Sequence, residues 1–452
     1  MFVLKILLGL AGLGVVVIIH ELGHFIAARA MGIDVEAFSI GWGKPILKKQ
    51  IGAVEYRLGM FPIGGYCKMS GENEFEEAYK NNQYAVSPVK GTFFSVKPWR
   101  RIIVAFAGPF FNIVFAALVF SVIWGIGFNV QTTENRIVLV SDVADEEPVY
   151  PANAAGLETG DRIIAIDGTP VETFGEIREH IAVNAEKKLS VKIERNGSIH
   201  DITITPSLDK STGAGTIGVY SWLDPVVGVV APAGPAENAG LKPDDRILKV
   251  NGKSIEYSVS LIPIVEEQPQ TLTVDLERDG NPLQTELRPV YTAEGADLGF
   301  NFQLLEYRTP NLSPFAAIGK GLNEAWKTLS VSVKSLALLF KGIDLTQAVS
   351  GPVRITYMLG DVASAGFSNS FADGIRNMAD FLCLISVALC VMNLLPLPVL
   401  DGGLIVLFII EIFKREPLNP KFISIFQTVG IVLIFTLMAF AIFGDVLYLV
   451  RL

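Results

Sequence analysis

The 452-residue chain is half hydrophobic, with a mean hydropathy of +0.43 and a formal net charge of −9 at pH 7, which makes it longer than one soluble domain needs and too apolar to be wholly soluble. The charge is uneven: residues 129–310 hold 15 Lys and Arg against 29 Asp and Glu, so an acidic soluble part separates basic apolar parts. That balance excludes nucleic acid as a partner, because phosphate binding needs a basic face.

Residues 1–33 read as a first transmembrane helix, since about 6–28 are apolar and a bilayer takes roughly 20 residues to cross. Lys5 before an apolar core also suits a signal peptide. His20, Glu21 and His24 interrupt that core, however, and no clean small-residue cleavage site follows, so the span is read as retained. Residues 34–100 contain strand-like stretches at Ala37–Trp42 and Val54–Met60, then the turn-prone Phe61-Pro-Ile-Gly-Gly65. A second span covers residues 101–128. Lys and Arg gather between these two spans (Arg29, Lys44, Lys48, Lys49, Arg57, Arg100, Arg101) and between the last two (Lys414, Arg415, Lys421). By the positive-inside rule those loops are cytoplasmic, which puts residues 129–376 on the other side.

Residues 151–168 recur at 235–252: Pro151-Ala-Asn-Ala-Ala-Gly-Leu and Asp161-Arg-Ile are matched by Pro235-Ala-Glu-Asn-Ala-Gly-Leu and Asp245-Arg-Ile. Residues 129–220 and 221–308 are therefore two copies of one β-rich domain. Each copy should have a short helix ending at Gly156 or Gly240, a strand, and an Asp-Gly or Asn-Gly hairpin turn. The middle segment has no cysteine; Cys67 lies in a loop and Cys383 and Cys390 in an apolar run, so no disulfide framework is available.

Residues 311–345 begin with Ser313-Pro314, an N-cap followed by proline at the first helical position. Lys320, Lys327, Lys334 and Lys341 recur every seventh residue opposite an apolar stripe that includes Phe315, Ile318, Leu322 and Trp326. This predicts an amphipathic helix lying on the outer membrane surface, followed by a loop-rich region over 346–378. Residues 379–403 and 423–450 supply the third and fourth spans.

His20-Glu-Leu-Gly-His24 is a His-Glu-x-x-His motif. On a helix its histidines share a face and can reach one zinc ion, while the glutamate can approach the water that attacks the substrate. Ionisable side chains inside an apolar span each cost a few kcal/mol unless paired or ligated, so a purely structural role would need a compensating partner. The third protein ligand is not a histidine in the next turns, where Ala27 and Ala30 stand. The third span ends Asn393-Leu-Leu-Pro-Leu-Pro-Val-Leu-Asp401-Gly-Gly403. The first and third spans both run inward under the positive-inside orientation, which brings Asp401 to the depth of His20 and His24.

These motifs, with Ala107-Gly-Pro-Phe-Phe-Asn112 opening the second span, resemble the site-2 protease family over nearly the whole chain. Leu404 departs from that pattern, standing where many relatives carry a histidine that is not a ligand. The two repeats resemble PDZ domains of the circularly permuted bacterial kind, with Ile217-Gly218-Val219 and Leu298-Gly299-Phe300 as carboxylate-binding loops. The resemblance implies a multi-pass α-helical membrane protein with four transmembrane helices, a membrane-associated β-hairpin over 34–100 and two inserted PDZ domains. It also implies a zinc protease with Glu21 as catalytic base, His20, His24 and Asp401 on Zn2+, and Asn393, Gly64 and Gly65 binding substrate, although Asn393 could instead satisfy carbonyls freed by Pro396 and Pro398. Its expected setting is a bacterial inner membrane, in contact with lipid. Its expected partners are single-span substrates of the anti-sigma type, signal-peptide remnants, and an upstream site-1 protease. Two other functions use part of the pattern. A PDZ adaptor without catalysis would not need the four site residues intact, and a zinc transporter would need more intramembrane polar residues than Asn112 and Gln427.

Overall fold

A computed structural model describes residues 2–72, 74, 80, 81, 89–143, 150–210, 212–292, 295–338 and 351–451. The chain forms two units: one joins the residues up to Gly127 with those from Pro310 onward, and the other is Phe128–Thr309. The first unit contains α1 (Phe2–Ala30), β1 (Val35–Ile51), β2 (Val54–Met69), α2 (Pro98–Ile126), α3 (Pro314–Leu338), α4 (Pro352–Asn369), α5 (Phe371–Asn393), α6 (Asp401–Lys414) and α7 (Pro420–Arg451). Among the described residues four helices are long and apolar enough to cross a membrane: Ile6–Ala30, Pro98–Ile126, Phe371–Asn393 and Pro420–Val446. Each overlaps one of the four spans read from the sequence.

β1 and β2 run further than the strand-like stretches suggested, and Phe61–Gly65 lies inside β2 rather than forming the turn between strands. Register shifts and the positive φ of Gly64 bend the ribbon there. Val35–Ile40 lies between two parts of β2, opposite Gly65–Met69 on one side, while Ala37–Ile40 is opposite Glu55–Leu58 on the other; Leu47–Ile51 continues the sheet beyond Val54–Leu58. Among the described residues Gly65–Met69 is consequently an edge. Phe38, Val54, Cys67 and Met69 pack with Ala28, Val104 and Phe408 in one apolar cluster that joins this sheet to α1, α2 and α6.

Two further sequence expectations change. The third span ends at Asn393, and Asp401 opens a separate helix, α6. Pro396 and Pro398 supply no amide hydrogens to continue α5, and Val399 takes a left-handed φ of 76°. Gly402 and Gly403 then let α6 begin directly beneath the carbonyls of Leu394, Leu395 and Leu397, where any Cβ would collide.

The region over 346–378, expected as loop, contains α4 and the start of α5; residues 344–350 lie outside the described residues. Asp445 of α7 accepts from the amides of Gly351 (2.8 Å), Val353 (2.9 Å) and Arg354 (3.1 Å), satisfying the first turn of α4. Ser370 caps α5 through Asp373 N–H. α4 crosses α1 where Gly9 and Gly12 make room for Thr356 and Leu359.

α3 is a helix as expected, but its packing face is neither the lysine stripe nor the large apolar one. Ala317, Gly321 and Ala325 are buried, and Gly321 sits against the backbone of Ala117 and Ser121 on α2. Small residues spaced by four on both helices let their backbones approach, as in membrane helix pairs. Phe315, Ile318, Leu322 and Trp326 are left exposed.

In the second unit the repeat is a structural one. The first copy orders its sheet β4-β3-β5-β6, with β3 (Arg162–Ile166), β4 (Thr169–Pro170), β5 (Leu189–Arg195) and β6 (Ser198–Ile204). The second orders β8-β7-β9-β10, with β7 (Arg246–Val250), β8 (Lys253–Ser254), β9 (Leu272–Arg278) and β10 (Asn281–Leu287). Asp167-Gly168 and Asn251-Gly252 form the hairpin turns with positive φ at both positions.

Each copy also buries an aspartate under an arginine: Arg195 Nε and Nη2 donate to Asp161 at 2.6 and 2.7 Å, and Arg278 repeats both bonds to Asp245 at the same distances. The same arginines donate to Gly156 O and Gly240 O, closing the short helices. Where the chain enters and leaves this unit, Asn129–Thr132 pairs with Leu305–Arg308.

Candidate metal centre

α1 carries His20 and His24 one turn apart, so both imidazoles leave the same side of the helix. The loop reversal after α5 brings Asp401 to them from the first turn of α6, where the helix dipole favours a carboxylate. His20 Nε2 lies 3.3 Å from Asp401 Oδ2 and His24 Nε2 3.5 Å from Asp401 Oδ1. The two Nε2 atoms are 3.2 Å apart. One ligand atom from each of the three residues lies within 4.8 Å of the others, and both histidines are buried.

The far sides of the imidazoles are held by α2. His24 Nδ1 donates to Val104 O at 2.8 Å, which leaves Nε2 with its lone pair toward Asp401. His20 Nδ1 faces the Asn112 side-chain amide at 3.2 Å. Gly108 lies directly beneath the His24 ring, where a Cβ would collide with the imidazole. Two imidazole nitrogens and a carboxylate lie close enough together to hold one metal ion, the number and kind of protein ligands that catalytic zinc sites use.

Glu21 lines the same cavity, of about 600 Å³, with Gly65, Asn393 and Gln427. Its Oε2 accepts from Cys67 N–H at 2.9 Å, so the edge of β2 holds the carboxylate. Gly65 is beside it: a Cβ there would lie 3.6 Å from Glu21 Cγ. Gly64 is one step further, beneath the Trp42 indole. Asn393 ends α5 with Nδ2 3.3 Å from His20 Nε2. All seven residues singled out from the sequence therefore lie at or beside one cavity.

Sequence reasoning missed three supports. Two are backbone groups, Cys67 N–H and Val104 O, for which side-chain identity gives no signal. The third is Arg101, read from sequence as an orienting cytoplasmic charge. It is buried and makes a bidentate pair with Glu411 of α6 (3.0 and 2.8 Å), with its guanidinium 4.8 Å from the Phe408 ring centre. The pair ties the helix that carries Asp401 to α2.

Apolar helices of membrane-spanning length surrounding a His-His-Asp cluster with a neighbouring carboxylate define the class: a membrane protein with the centre of a metal-dependent hydrolase. The chain belongs to peptidase family M50, whose pattern it matches over residues 8–437. It is 37% identical over 450 residues to a Treponema pallidum (strain Nichols) protein provisionally named a zinc metalloprotease, covering 99% of both chains. It is 31% identical over 456 residues to the regulator of sigma E protease of Haemophilus influenzae, covering 97% of each. With the regulator of sigma-E protease RseP of Escherichia coli K12 it shares 28% over 460 residues, 96% of this chain and 97% of that protein.

Proposed function

We propose that this chain is a zinc metalloprotease that cuts a peptide bond within transmembrane segments of single-span proteins, with His20, His24 and Asp401 as ligands and Glu21 as general base. The observation that carries the reading is the convergence of His20 Nε2, His24 Nε2 and the Asp401 carboxylate on one point, next to a second carboxylate in the same cavity. Zinc, when bound, supplies Lewis acidity toward water and the scissile carbonyl. Glu21 takes the proton from the attacking water and returns it to the leaving amine. Cys67 N–H orients that carboxylate from the sheet edge.

A substrate helix hides its carbonyls in its own hydrogen bonds, so it must be locally extended before attack. The Gly65–Met69 edge, with no strand beyond it among the described residues, offers an extended segment backbone partners beside Glu21. Gly64 and Gly65 keep that approach free of side chains, and the Asn393 amide is the second anchor for the substrate backbone. A bacterial inner membrane, an anti-sigma-type substrate already shortened by an upstream site-1 protease, and signal-peptide remnants follow from the resemblance to sigma-E regulators.

The two repeats are read as PDZ domains on the side away from the cytoplasm, filtering out uncut ectodomains. In the first, a cavity of about 650 Å³ lies between the helix Phe174–Ala182 and Ile217–Val219, with space for an extended peptide end.

The test is cleavage of a single-span anti-sigma-type substrate in detergent by wild type and Glu21→Gln, with zinc measured in both. Cleavage by wild type alone, with about one zinc per chain in each protein, is expected. Equal cleavage by both removes Glu21 from the mechanism, and wild type without zinc removes the ligand assignment.

A further inference from the structure

Asn112 stands in the middle of an apolar, membrane-length helix with 0% of its surface exposed. A fully buried carboxamide there is costly unless it is hydrogen-bonded. Its side chain has one such partner among the described residues, His20 Nδ1 at 3.2 Å, and Oδ1 has none. Its backbone is fixed separately, because Ser386 Oγ of α5 donates to Asn112 O at 3.0 Å.

Which end of the amide meets the imidazole is fixed by what His20 must do at its other nitrogen. A neutral imidazole carries one proton. If Asn112 Nδ2 donated to Nδ1, that proton would sit on Nε2 and point at Asp401, and His20 could not be a ligand. If Asn112 Oδ1 accepts from Nδ1–H, Nε2 turns its lone pair to the cluster, as the Val104 carbonyl already dictates for His24. The two ends of an amide have nearly the same shape, so exchanging them moves no other atom.

We infer that Asn112 is a positioning residue: its Oδ1 accepts from His20 Nδ1–H and thereby sets the tautomer and ring orientation in which His20 binds zinc. Partners of this kind commonly change metal affinity by roughly 10–100-fold when removed. This inference rests on the ligand reading above.

The experiment measures zinc affinity of the full-length protein in detergent by competition with a chelator, for wild type, Asn112→Leu, Asn112→Asp and Ser386→Ala. Asn112→Leu removes the acceptor at similar volume and is expected to bind zinc roughly 10–100-fold more weakly. Asn112→Asp keeps an acceptor in the same place and is expected to bind at least as tightly as wild type. Ser386→Ala disturbs the same α2–α5 contact without touching the amide and should leave affinity unchanged. Wild-type affinity in Asn112→Leu overturns the inference. So does tenfold weaker binding by the near-isosteric Asn112→Asp, which decides the matter alone if Asn112→Leu does not fold. Absence of zinc from the wild type itself would instead overturn the ligand reading.

Discussion

His24 is held by two features of α2 that contain no functional side chain: the Val104 carbonyl on Nδ1 and the bare Cα of Gly108 beneath the ring. Gly108→Ala would place a methyl group inside the imidazole's volume. A buried ring against packed helices has little room to yield, so Nε2 must leave its position near Asp401. Zinc affinity and cleavage should both fall by at least roughly tenfold, as measured by chelator competition and turnover of the same substrate. Wild-type values would show that the ring accommodates the methyl group. At this scale legibility divides by chemistry. His20, Glu21 and His24 announce themselves because ionisable groups in an apolar span need a reason, and Asp401 follows from span orientation. Cys67 N–H, Val104 O and the empty volume at Gly108 were invisible, because every residue has a backbone and absent atoms leave no pattern.

The elements show the same division for packing. Four apolar runs correspond to four helices long and apolar enough to cross a membrane, and the duplicated Pro-Ala-x-x-Ala-Gly-Leu segments to two similar sheets. α3 is a helix as the sequence predicts, but its seven-residue lysine spacing says nothing of Ala317 and Gly321, which touch α2, or of the buried Ala325. Hydropathy ranks such residues low, yet backbone approach depends on them. The buried aspartate of each repeat was read as part of a motif, but its arginine, more than thirty positions away, was not.

In the second copy burial alone would raise the Asp245 pKa, but the Arg278 guanidinium and the Lys242 amide outweigh it and hold the carboxyl below its ordinary value. A group depressed on folding stabilises above its unfolded pKa, near 3.9 for aspartate, and that stabilisation is lost as pH falls through the lower folded value. Acidification below about pH 4 should therefore loosen the second repeat. Asp245→Asn should abolish this component and cost roughly 3 kcal/mol at neutral pH by leaving Arg278 without its charge partner. Hydrogen exchange of the Leu272–Arg278 strand in the intact protein, corrected for intrinsic rates, reads both effects. Identical pH dependence in wild type and variant would exclude the pair as its origin.

The whole molecule is a helical unit interrupted by a β unit whose two ends lie together. Thr309 N–H donates to Phe128 O at 2.8 Å, Phe128 N–H donates to Thr309 Oγ1 at 2.9 Å, and the flanking strands pair for four residues each. Adjacent ends are the property that lets a domain be inserted without disturbing its host. Every residue assigned to the metal centre lies outside Phe128–Thr309. Replacing residues 129–308 by a short flexible linker should therefore leave the helical unit able to bind zinc and to cut an already shortened substrate. If the repeats filter by size, the same deletion should make an uncut, full-ectodomain substrate cleavable at a rate approaching that of the shortened one. Turnover of the two substrates by wild type and deletion protein in liposomes separates the possibilities. Retained discrimination places selection in the helical unit, whereas loss of zinc along with activity would mean that the β unit is needed to maintain the centre itself.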